Sequence, residues 1–254
     1  MKERWIRGLL LILVASLSAC TAVPEKDKNK PQYAETPAKI NAELGLGYMQ
    51  QGDMKRAKQK LELSLKYNPD YEKAHHYIAE LYRRLGEYDQ ADKHYLRAIE
   101  LAPQDSGLRN NYGAFLCDQK KFAQAETQFL LAVHDPLFNG RTQAYENLGL
   151  CAADAGEMVK AEKYLRTALK ADPKSMKSLF RMAELNYAKG DFLRARAYLE
   201  RYQEVGPKTA ESLWLGVRVE HHMGDREMMQ RYAYELSRAF PDSEQWQEYT
   251  QKRW

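Results

Sequence analysis

The chain has 254 residues, 29% of them charged and 44% hydrophobic, with a formal net charge of +4. That is enough chain for one large domain or an extended array, and its charge is too balanced to argue for a nucleic-acid partner. Three cysteines, at 20, 117 and 151, make neither a disulfide framework nor a C-x-x-C pair for metal or redox work.

The first element is the stretch MKERWIRGLLLILVASLSAC. Lys2, Arg4 and Arg7 form a basic head, Gly8 to Leu17 an apolar core, and small Ser18 and Ala19 precede Cys20. This order predicts a secretory signal peptide over residues 1–19. The apolar run is short of the roughly 20 residues a permanent membrane-spanning helix needs. The segment LSAC resembles the lipobox of bacterial lipoproteins. The resemblance implies that Cys20 becomes the first mature residue and carries a diacylglycerol and an N-acyl chain, the multiple chains that stable anchoring requires. Thr21 and Ala22 follow, with no Asp at the second mature position. In enterobacterial-type sorting, that implies the periplasmic face of the outer membrane.

Residues 20–37 then read as the lipidated cysteine and a flexible linker, with lysine clusters, three prolines and no apolar periodicity. From Ala38 the composition turns to amphipathic helix, and a period emerges. Prolines fall at 69, 103, 173, 207 and 241, and glycines in one phase at 52, 86, 156, 190 and 224. Five residues after each glycine stand Ala57, Ala91, Ala161, Ala195 and, in the last unit, Met229. Between Pro103 and Pro173 lies one more unit, with Lys120 at the glycine position, Ala125, and Asp135-Pro136 before a turn two residues longer. The units are 38–71, 72–105, 106–141, 142–175, 176–209 and 210–243. They resemble the tetratricopeptide repeat, a resemblance that runs from Ala38 to about Asp242. It implies an all-α fold, a right-handed superhelix of six helix hairpins over 38–243, with residues 244–254 as a capping helix or tail.

The pattern has a physical reading. Gly45, Ala79, Gly113, Gly149 and Ala183 are small where the second helix of a unit crosses the first, since a larger side chain there would force the pair apart. The phased glycines suit a left-handed helix end, and the Asp or Glu after each favours the next helix start. The prolines end the second helices because they lack the amide that continuation requires. The last unit departs most, with Glu220 and Met229 at positions normally small or apolar. Cys117 and Cys151 fall late in the first helices of adjacent units and stand either as core thiols or as a bridge.

Catalytic patterns are missing. There is no H-E-x-x-H, no G-x-S-x-G and no glycine-rich phosphate loop, and His75 and His94, on opposite helices of one unit, have no metal-like companions. The sequence therefore predicts no enzyme, no metal and no cofactor beyond the acyl chains, and leaves binding. By resemblance the first helices line a concave groove. Candidates there are Asn110, Asn111, Asn147, Lys177, Phe180, Arg181, Tyr187 and Trp214, with His76, Glu146 and Arg218 beside them. Asn147, Lys177 and Arg181 match positions with which chaperone-binding members of the family clamp a peptide's terminal carboxylate. Asn110 and Ala114 replace the other two clamp residues, so the clamp is incomplete. Phe180, Tyr187 and Trp214 are either anchors for a partner or packing between units.

The whole chain also resembles the type IV pilus biogenesis lipoproteins of proteobacteria, the secretin pilotins. The elements carrying this are LSAC, LGLGYMQQGDMKRAKQKLELSLKYNPD, NNYGAFLCDQKKFAQAETQFLLAV with its long following turn, and AELNYAKGDFLRARAYLERY. The resemblance implies a monomeric, outer-membrane-anchored scaffold that binds secretin subunits and promotes their localisation and multimerisation for pilus assembly. The other reading is a lipoprotein adaptor for peptidoglycan or other envelope machinery.

Overall fold

The computed structural model describes residues 36–252. The signal segment, Cys20, nearly all of the linker and Trp254 lie outside the described residues. Among the described residues all regular structure is helical, in thirteen helices. Six hairpins come first: α1 (Pro37–Gln50) with α2 (Met54–Tyr67), α3 (Glu72–Leu85) with α4 (Tyr88–Leu101), and α5 (Ser106–Asp118) with α6 (Phe122–His134). Then follow α7 (Arg141–Asp154) with α8 (Met158–Ala171), α9 (Met176–Ala188) with α10 (Phe192–Val205), and α11 (Ala210–Met223) with α12 (Arg226–Ala239). A short α13 (Glu244–Thr250) packs on α11 and α12. Partners in a hairpin pack on each other, and first helices pack in a row, α1 on α3, α5 on α7, α7 on α9 and α9 on α11. The result is an all-α tetratricopeptide superhelix.

The turns follow from local chemistry. Gly52, Gly86, Gly156, Gly190 and Gly224 all take φ between 75 and 80°, and Lys120, in the unit without the glycine, is forced to φ 58°. Asp53, Asp191 and Asp225 then cap the next helix by accepting the amides of Arg56, Arg194 and Met228, each three residues on. Glu87 and Glu157 occupy the same place without a side-chain cap bond, since the longer glutamate does not fold back onto that amide.

The hairpins close on a fixed spacing. A methyl placed on Gly45 would lie 2.5 Å from Leu61 Cγ, on Gly113 2.9 Å from the Phe129 ring, and on Gly149 2.7 Å from Leu165 Cγ. In each case the large partner follows sixteen residues later, and Ala79 with Tyr95 and Ala183 with Leu199 keep that spacing, all of them buried. The sixth unit does the same with Gly216, whose added methyl would meet the Tyr232 ring at 2.8 Å. Gly216 sits one residue earlier than the proline count places it, which is why sequence phase alone passes it over. Glu220, on the same helix, is 2% exposed and forms a bidentate ion pair with Arg196 of α10.

The buried residues form a large central cluster running from Ala79 to Val219, an N-terminal cluster around Met49, Leu61 and Ile78, and a C-terminal cluster around Trp214, Tyr232 and Leu236. Trp246 and Tyr249 of α13 pack on the last of these. Cys117 and Cys151 form a disulfide between α5 and α7, with Cα atoms 5.8 Å apart. Of the two readings the sequence leaves open, the structure takes the bridge.

Candidate functional site

The first helices bring a chain of polar side chains together across four units. On α3, His76 Nε2 lies 3.0 Å from Asn111 Nδ2 of α5. The amide donates, so Nε2 is an acceptor and the ring is neutral, consistent with burial lowering the His76 pKa. Asn110 Nδ2 donates to Asn111 Oδ1 at 3.2 Å, and Asn147 Nδ2 of α7 donates to Asn110 Oδ1 at 3.1 Å. Gln143 donates to both Asn147 Oδ1 and Glu146 Oε1 at 3.1 Å. Glu146 is buried, and its other oxygen accepts the Ser175 and Ser178 hydroxyls at the start of α9. With no cation paired to it among the described residues, Glu146 is thus held by three neutral donors.

This network changes the role of several groove candidates. Asn110 is buried and Asn147 half-buried, and their amides are occupied with each other. Arg181 donates from one terminal nitrogen to Asp154 of α7 and from the other to Glu184 at 3.1 Å. The three residues that match carboxylate-clamp positions are therefore not a free clamp. Two serve the stack itself, and Lys177 alone stands exposed. Trp214 is only 5% exposed and belongs to the C-terminal core. A sequence pattern cannot distinguish it from an open groove aromatic, because the register of the last unit shifts by one residue. Phe180 is half-buried, with its ring 5.3 Å from Tyr202. Tyr187 is half-buried beside Phe192 and His222, whose rings stack at 4.2 Å. Asn111 remains partly open on α5.

Besides exposed Lys177, Arg218 of α11 is an inner-face cation that joins no hydrogen bond or ion pair with the described residues. Its guanidinium carbon lies 4.8 Å from the Tyr187 ring centre and 5.5 Å from that of Trp214. Of the other arginines on the first helices, Arg84, Arg109 and Arg141 donate to backbone carbonyls, and two more are ion-paired, as is Arg196 on α10. Arg83 bonds Glu80 and Asp118, Arg181 bonds Glu184 and Asp154, and Arg196 bonds Glu220 and Asp225.

Elsewhere, His75 and His94 do meet. His75 Nε2–H donates to the Pro69 carbonyl at 2.9 Å, which leaves its Nδ1 to accept from His94 Nδ1–H at 3.0 Å. Burial and then His75 push the His94 pKa down to about 4. Among the described residues no group of three or more His, Cys, Asp and Glu side chains is placed to hold a metal ion.

Matches to the tetratricopeptide repeat family cover residues 48–106, 94–127, 116–176 and 152–215. The type IV pilus assembly protein PilF of Pseudomonas aeruginosa is 29% identical over 243 residues, which is 95% of this chain and 96% of PilF. The solved structure of that PilF superposes with a TM-score of 0.78 at 30% identity, covering 85% of this chain and 97% of the other. A structure of PilW, described as a widely conserved type IV pilus biogenesis factor, gives 0.79 at 30% identity, covering 85% and 100%. A stack of helix hairpins, a polar inner face and this extent of likeness have one reading: the chain belongs to the tetratricopeptide repeat family and is related to the type IV pilus proteins PilF and PilW.

Proposed function

We propose that this protein is a lipid-anchored scaffold of type IV pilus biogenesis that binds secretin subunits and promotes their outer-membrane localisation and multimerisation. The observation that carries the reading is the likeness to PilF and PilW along 85% of the chain. Two features support the compartment. The lipobox-like LSAC supports lipidation of Cys20, ahead of the repeats, and the Cys117–Cys151 disulfide fits an oxidising compartment outside the cytoplasm. The mechanism needs no covalent step. Acyl chains on Cys20 confine the scaffold to the bilayer, and a subunit held on the repeat array shares that high local concentration, which favours its meeting other subunits there.

The test is crosslinking in intact envelopes, capture of this protein, and a gel assay for secretin multimers with and without it. Secretin in the captured fraction and loss of multimers in its absence are expected. Capture of cell-wall hydrolases without secretin overturns the reading and assigns the protein to envelope machinery. Cys20→Ala should leave a folded protein that fractionates away from the outer membrane, and firm outer-membrane retention of that variant would rule out the lipid as anchor.

A further inference from the structure

The inner face of the array is mostly satisfied within itself. Its asparagines and Glu146 bond across neighbouring helices, and Arg181, whose Nε is also buried without an acceptor, bonds Asp154 of α7 and Glu184 of its own helix through its terminal nitrogens. Arg218 does not. It makes no hydrogen bond or ion pair with the described residues, and its Nε is buried without an acceptor. Of its three nitrogens only Nε is cut off in this way, so the terminal two reach solvent. Glu184 of α9 is committed to Arg181, and Glu220 and Asp225 to Arg196. The Tyr187 and Trp214 rings, at 4.8 and 5.5 Å, hold the guanidinium in place.

We propose that Arg218, framed by Tyr187 and Trp214, is the anion-recognition point of the inner face and takes a carboxylate of the partner polypeptide. The inference rests on the reading that the partner is a polypeptide. A guanidinium already oriented by two rings loses little freedom when it binds a planar carboxylate through its terminal nitrogens. Arg with flanking Tyr and Trp is also the residue set in which binding energy concentrates at protein interfaces. The carboxylate has two sources, an Asp or Glu side chain or a chain terminus.

The first test repeats the envelope capture with Arg218→Glu, Arg218→Lys and, as a charge control on the exposed end of α2, Lys66→Glu. Secretin recovery should fall at least tenfold for Arg218→Glu and severalfold for Arg218→Lys, with Lys66→Glu unchanged and all variants equally folded by circular dichroism. Equal recovery by Arg218→Glu and wild type overturns the site while leaving the scaffold reading intact. The second test needs no secretin. Purified protein is titrated with an amidated tetraglutamate peptide, and separately with a tetraglutamine peptide bearing a free C-terminus, followed by heteronuclear NMR. Saturable shifts confined to α9 and α11, and lost in Arg218→Ala, are expected with one of the two. The peptide that gives them identifies the source of the carboxylate. No shift with either peptide, or shifts that persist in Arg218→Ala, overturns the proposal. Peptide binding at Arg218 in a protein that captures no secretin would instead keep the site and reject the partner.

Discussion

Gly149→Ala adds a single methyl at the crossing of α7 and α8, and its effect follows from distances. The new carbon would lie 2.7 Å from Leu165 Cγ, 2.8 Å from Cδ2 and 2.9 Å from the Leu165 backbone nitrogen. Comfortable contact begins near ~3.5 Å, so α8 must withdraw by roughly 0.6 to 0.8 Å. Leu165 is fully buried, and rotating its side chain does not move the nitrogen. Overpacking of this kind costs about 1–3 kcal/mol. Against it stands the gain of about 1 kcal/mol from replacing a helical glycine by alanine. Because a backbone atom is involved, the upper half of the cost applies, and the net loss is about 1–2 kcal/mol. Gly47→Ala is the internal reference. It lies in α1 with nothing within 4 Å of the added methyl, so only the gain of about 1 kcal/mol remains. Effects on the unfolded chain are common to both substitutions and cancel in the difference. Urea denaturation followed by far-ultraviolet circular dichroism should separate the two by about 2–3 kcal/mol, with Gly47→Ala the more stable. Equal midpoints, or a more stable Gly149→Ala, would refute the close crossing at this position.

Replacing Cys117 and Cys151 together by alanine opens a link between residues 34 apart, and should cost about 3–4 kcal/mol by chain entropy; the same midpoint with and without reductant would mean that no bridge forms. Arg196→Ala strands the Glu220 carboxylate in the core, at a cost of about 3 kcal/mol at neutral pH. Burial raises the Glu220 pKa, so that loss should shrink on mild acidification, and Arg196→Ala with Glu220→Gln should recover much of it in a thermal melt. His94 is depressed to about 4 in the fold against an ordinary value near ~6.5. The unfolded chain therefore takes up this proton first, and the stability His94 contributes above that value is lost as pH falls towards 4. His94→Gln should flatten this part of the stability profile, measured by urea denaturation at steps between pH 7.5 and 4.5.

The sequence by itself determined the repeat. Helix ends are decided by residues within a few positions of one another, so glycine phase, following acids and prolines place the turns without tertiary knowledge. The crossing positions were legible in five units for the same reason, since a small residue recurs at one fixed phase of each period. Gly216 was not, because the last unit slips by one residue and the phase falls on Val217 instead. The inner face was legible as polar but not in its detail. Asn147, Lys177 and Arg181 stand at the right repeat positions for a clamp, yet whether a side chain is free depends on which neighbours reach it. Asp154 and Glu184 reach Arg181, Asn110 reaches Asn147, and among the described residues no carboxylate pairs with Arg218. Pairing across helices is set by packing distances between units, and only the assembled stack fixes those.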